Sequence, residues 1–168
     1  MKGDEFTEKD LCLVKEVNDY TPTALMHSVG IMNDGLDYKG LKFRSPTGLC
    51  IGATVDLSND LQREVRLTRQ KVMSGAQFFI TQSIFYGKDG NEFQETYRAV
   101  TDEELSLPVF YGLQILEKDG IVFGNVPERV TQELSKGRPG TDIALEMLSD
   151  FVAAGISCVY LIPPILRG

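Results

Sequence analysis

The sequence predicts an α/β protein of parallel strands joined by crossover helices. Three features point to this: short apolar runs, amphipathic segments between them, and Gly, Asp and Pro turn signals at the joints. The runs are Leu49 to Val55, Gln77 to Gln82, Val109 to Ile115 and Ile156 to Ile162, each as short as a buried parallel strand should be. Between the first two, Ser58 or Asn59 can cap a helix with Leu61, Val65, Thr68 and Val72 on one face and Gly75 at its end. Before the last run, Thr141 can cap a helix that places Ile143, Met147 and Phe151 on one side, with Ala144, Leu148 and Val152 beside them and Gly155 closing it.

Pro22 to Met32 reads as a helix that feeds the first strand through a polar loop, Asn33 to Thr47. Asn91 to Glu104 and Val126 to Lys136 are further helical segments. The expected organisation is a single domain over residues 1–168, with residues 1–48 forming the loop and helix that lead in and residues 49–168 forming four βα units. Four units are too few for a closed eight-stranded barrel, which typically needs about 250 residues. The sheet is therefore expected to be open, or the chain to be a piece of a barrel.

Composition narrows the partners. A hydrophobic content of 42% suffices for a core, and a net charge of -7 with interleaved signs leaves no basic stripe for nucleic acid. No apolar run reaches membrane-spanning length. Met1 to Asp10 lack the basic start and apolar run of a secretory signal, so the expected compartment is the cytoplasm. Cys12, Cys50 and Cys158 are far apart and read as reduced packing residues, with no metal site expected. The lone His27 sits in a helical pattern and reads as packed or solvated.

Generic catalytic motifs are absent from the sequence, so the candidates are positional. In a parallel sheet, polar side chains at the carboxyl ends of strands face the ligand side. Thr81 and Gln82 end the second run, directly before the apolar Ile84-Phe85-Tyr86. The Gln82 amide both donates and accepts, so it can read a pterin or amide edge; the same placement also suits a strand-end residue bonded to a neighbouring loop. Glu64 and Lys71 lie two turns apart on the first capped helix, where they could meet ligand phosphate or ribose or simply stand as solvated charges. Gly3-Asp4 puts an acid after a glycine, a pair that at a strand end could approach a flavin ring.

Read in order, Leu49-Cys50-Ile51-Gly52-Ala53, Gln70-Lys71-Val72-Met73-Ser74-Gly75-Ala76 and Phe79-Ile80-Thr81-Gln82 resemble methylenetetrahydrofolate reductase. The loop Met32 to Gly40 and the ending Val159-Tyr160-Leu161-Ile162-Pro163-Pro164 are similar to the branch of that family fused to homocysteine methyltransferases. The resemblance runs from Gly3 to Arg167. It implies a partial TIM (β/α)8 barrel: the C-terminal half, of about four parallel βα units. It further implies hydride transfer from NAD(P)H through FAD to 5,10-methylenetetrahydrofolate, in methionine biosynthesis.

By that resemblance Asp4 would be catalytic and bind the pterin, and Gln82 would bind folate. Gly3, Glu64, Lys71 and Thr81 would contact FAD. Two departures accompany it. Many members carry Tyr-Pro-Glu and a nearby His where this chain has Thr54-Val55-Asp56-Leu57-Ser58, so those flavin contacts are absent or replaced. The family's proton-donating glutamate belongs to the first strand, upstream of Met1, so the chain is expected to need a missing N-terminal half or self-association. The rival expectations are a non-catalytic half-barrel assembly subunit and a folate-binding barrel methyltransferase.

Overall fold

A computed structural model describes residues 7–13, 19–58, 60–121 and 125–165. The elements follow in the order α1 (Glu8–Leu13), α2 (Pro22–Asn33), β1 (Gly52–Val55), α3 (Leu61–Met73), β2 (Phe78–Ser83), α4 (Gly87–Thr101), β3 (Val109–Gln114), α5 (Glu128–Ser135), α6 (Gly140–Ala153) and β4 (Val159–Ile162). The strands form one four-stranded sheet in the order β1-β2-β3-β4. β3 pairs in parallel with β2 on one side and with β4 on the other. This is the expected α/β layout. No described helix is long and apolar enough to cross a membrane.

The chain divides into two compact units, Met1–Ala53 with Gln70–Gln77, and Thr54–Arg69 with Phe78–Gly168. In the first, Thr21 caps α2 by accepting the Ala24 N–H at 3.2 Å, and Pro22 takes the first helical position, where its missing N–H costs nothing. At the other end of α2, the Asn33 amide accepts the Thr47 hydroxyl at 2.7 Å and the Leu49 N–H at 2.9 Å, and donates to the Leu49 carbonyl at 2.8 Å. Gln77 pairs with both backbone groups of Ile51, at 2.8 Å each. These side chains engage Leu49 and Ile51, and β1 begins only at Gly52 rather than at Leu49. His27 is solvated, and Cys12 and Cys50 are exposed free thiols, which corrects their reading as packing residues.

The second unit holds a core in which Val55, Val65, Phe79, Phe93, Leu116, Val130, Ile143 and Phe151 are all but inaccessible to solvent. Alternation along β3 sends Val109, Tyr111 and Leu113 to the face covered by helices, where the Tyr111 hydroxyl reaches Gln94 and Gly90 of α4. Phe78 and Ile80 of β2 and Phe110 of β3 lie on the opposite face, where Phe78 and Phe110 meet edge to face at 5.9 Å.

Glycines explain two boundaries that the sequence missed. α4 starts at Gly87 rather than Asn91: a Cβ on Gly87 would strike Ala154 and the Asp150 carbonyl, and the Gly87 N–H donates to the Asp150 carboxylate at 2.6 Å. α6 starts at Gly140 after Pro139, so Thr141 is not its cap; a Cβ on Gly140 would overlap the Leu116 carbonyl oxygen. α3 is capped by Asp60, which accepts the Gln62 N–H at 3.0 Å, while Ser58 bonds elsewhere. Asn59, the other expected cap, and the pair Gly3-Asp4 lie outside the described residues.

On the surface, α5 and α6 share a closed ring of charges. Arg129 bonds Glu133 at 2.8 Å and Glu146 at 2.9 Å, and Arg138 bonds Glu146 at 2.7 Å and also Glu133. Hydrogen bonding to Glu146 raises both guanidinium pKa values, and hydrogen bonding to Arg138 lowers that of Glu146.

On α3 the sequence put Thr68 on the apolar face, and it is fully buried; among the described residues its hydroxyl is a buried polar atom with no hydrogen-bond partner. An unmet buried hydroxyl is costly, so Thr68→Val should raise stability by about 1 kcal/mol, read as a higher urea midpoint at unchanged slope.

Candidate functional site

The carboxyl end of β2 departs from regular pairing. Ile80 is opposite Phe110 but Ser83 is opposite Gly112, so Thr81 and Gln82 share a bulge. A bulge frees backbone groups from the ladder, and here hydroxyls take them up. The Tyr160 hydroxyl donates to the Thr81 carbonyl at 2.7 Å. The Thr81 hydroxyl donates to the Gln82 carbonyl at 2.6 Å and accepts the Gly112 N–H at 3.1 Å. Gly112 suits this place, because a Cβ there would sit tightly, 3.0 Å from both the Gln82 carbonyl and the Tyr160 hydroxyl.

Beyond the bulge, the buried Ile84 and Phe85 anchor the chain before α4, and the Gln82 side chain is left exposed. It lines a cavity of about 360 Å³ at the carboxyl ends of the strands, within the size range of small-molecule sites. The other walls come from Asp56 to Ser58 after β1, Ile84 to Tyr86, Lys88 and Asp89 around the start of α4, and Asn125 and Pro127 before α5. Asp56 shapes its own loop by accepting the Ser58 N–H at 3.0 Å and the Ser58 hydroxyl at 2.6 Å. The Lys88 ammonium lies 5.2 Å from the centre of the Tyr86 ring. On the far side of the sheet end, the buried Gln114 amide donates to the Ile121 carbonyl at 3.0 Å and ties down the segment after β3.

The cavity is chemically mixed: amides, hydroxyls, the carboxylates of Asp56 and Asp89 and the Lys88 ammonium stand among apolar walls. Burial pushes the Asp89 carboxyl above its ordinary range; Lys88 and the Tyr86 backbone oppose this, while Glu92 and Asp150 add to it.

Of the residues expected to form the site, Gln82 is the one the cavity contains among those described. Thr81 is 3% exposed and its hydroxyl is engaged with backbone, so its part is to hold the bulge. Glu64 is buried on the inward side of α3, is not a solvated charge, and does not line the cavity. Lys71 is half-buried in the last turn of α3, within the first compact unit. In the sequence Asp56 stood out only within a departure from a family pattern, Ser58 there and as a candidate helix cap, and Lys88 and Asp89 not at all.

No family profile matches the sequence, and no curated protein matches it. A solved structure does: an uncharacterized protein from Clostridium thermocellum that binds two copies of 5-methyl-5,6,7,8-tetrahydrofolic acid, with a TM-score of 0.57 over 86% of this chain and 54% of that one. The likeness is one of fold. At 13% identity it carries no residue roles, and this chain spans about half the length of that structure.

The raised Asp89 pKa sets a pH dependence. The native state holds this proton more tightly than the unfolded chain, so stability falls as pH rises from the unfolded toward the folded pKa. Asp89→Asn, which keeps an acceptor, should be more stable than the parent above the folded pKa, and the difference should close as pH falls. Urea midpoints across a pH series would measure it.

Proposed function

We propose that this chain binds a reduced folate in the Gln82 cavity, as the C-terminal half of a barrel of the methylenetetrahydrofolate reductase kind. The observation that carries the reading is Gln82, exposed and lining a cavity at the carboxyl ends of parallel strands. A pterin presents adjacent N–H donors and a carbonyl acceptor along one edge, and a carboxamide complements such an edge in both senses. Asp89 stands in the same cavity to accept from a ring amino group, and Leu57, Ile84, Phe85 and Pro127 offer apolar walls to the ring faces. The folate bound by the Clostridium thermocellum protein of like fold supports this choice of ligand.

The finer part of the proposal is catalytic: hydride transfer from NAD(P)H through FAD to 5,10-methylenetetrahydrofolate. It is supported by the sequence segments around Lys71 and Gln82. The described residues fit the folate better than the flavin. Thr81 and Glu64 are buried away from the cavity, and a cavity that sets the Asp56 and Asp89 carboxylates against the Lys88 ammonium is poorly matched to a diphosphate. Flavin contacts would have to come from residues beyond these. A partner supplying the other half, or a second copy, would complete the barrel; the edge strand β4 exposes Leu161 at 58%.

Isothermal titration with 5-methyltetrahydrofolate should show binding to the parent protein and at least about tenfold weaker binding to Gln82→Ala. Incubation with FAD followed by gel filtration should leave the chain without flavin absorbance. Retained flavin would mean that this chain by itself carries enough flavin contacts, against the reading that they come from elsewhere, and a parent protein that does not bind the folate would end the proposal.

A further inference from the structure

We infer that Tyr160 is the positioning residue for Gln82: from β4, two strands away, its hydroxyl fixes the bulge that aims the ligand-binding amide into the cavity. The inference rests on the folate reading for its consequence, but its geometry stands on three hydrogen bonds and one glycine. A bulge leaves carbonyls outside the ladder, and each must find a donor. Thr81 and Gln82 are adjacent, and both carbonyls are met by side-chain hydroxyls, from Tyr160 at 2.7 Å and from Thr81 at 2.6 Å. Tyr160 pairs across the parallel ladder with Gly112, and the missing side chain at Gly112 leaves the path along which the phenol reaches β2.

Tyr160 does not line the cavity, so it acts through the backbone. Without its hydroxyl the Thr81 carbonyl would have to rotate back toward the ladder or find another donor. Either motion turns the peptide that leads into Gln82. A side chain whose backbone is free to swing loses part of its preorganisation, and affinity falls without the loss of any direct contact. The phenol is half-buried, and burial raises its pKa, so it stays a donor across the neutral range.

The test is a double-substitution cycle on the full chain with 5-methyltetrahydrofolate as the probe. Tyr160→Phe should weaken binding about tenfold, and Tyr160→Phe combined with Gln82→Ala should bind no more weakly than Gln82→Ala alone. Tyr111→Phe serves as the control. It removes a buried hydroxyl from the helix-covered face of the same sheet and should leave affinity unchanged. Parent-like binding by Tyr160→Phe, or equal losses from Tyr160→Phe and Tyr111→Phe, would overturn the inference.

If the parent does not bind the folate, the function reading fails. The inference is then decided by the Gln82 side-chain amide resonances, which Tyr160→Phe should shift and Tyr111→Phe should not. Unmoved resonances would overturn it. If Tyr160→Phe does not fold, Thr81→Val removes the other hydroxyl of the bulge and is read in the same two ways.

Discussion

The bulge at Thr81 and Gln82 is the constraint on which the cavity depends. Parallel pairing of β2 with β3 would run uninterrupted to the strand end but for one extra residue, and that residue leaves polar backbone groups to be satisfied inside the fold. Two hydroxyls and a glycine resolve the conflict. They come from β2, β3 and β4, so the three strands are tied together at the level where Gln82 meets the cavity.

Much of the scaffold was legible in the sequence, because hydrophobic periodicity is a local property. α3 and α6 were readable from their apolar faces, and the four strands from their short runs, to within a few residues. The start of α4 was not: Gly87 to Gly90 reads as a turn, and only the approach of the end of α6 to Gly87, and of Tyr111 and Ile156 to Gly90, shows why small residues suit that first turn. Val152, expected beside the core face of α6, is 66% exposed. Periodicity gives the width of an apolar stripe and does not reveal how far its neighbours reach around it.

The site was less legible still, for a reason of distance. Gln82 could be singled out from its place at a strand end, but the groups that orient it cannot. Tyr160 is 79 positions from Thr81, and Gly112 is 31 positions away. The backbone bonds of the Thr81 hydroxyl were hidden for the same reason: a polar residue at a strand end looks the same in sequence whether it faces a ligand or a misaligned backbone. Asp56 and Ser58 form a local turn that the sequence could have suggested, yet their share in the cavity wall depends on where β1 ends relative to β2.

The charge ring between α5 and α6 has a consequence for how such a chain drifts over generations. Each of Arg129, Arg138, Glu133 and Glu146 touches two ions of opposite sign, so replacing any one leaves its two former neighbours under-compensated. Those positions are linked to one another by four ion pairs. Lineages descended from a common ancestor would keep the quartet whole or surrender it whole, and a mixed state would mark a transition in progress.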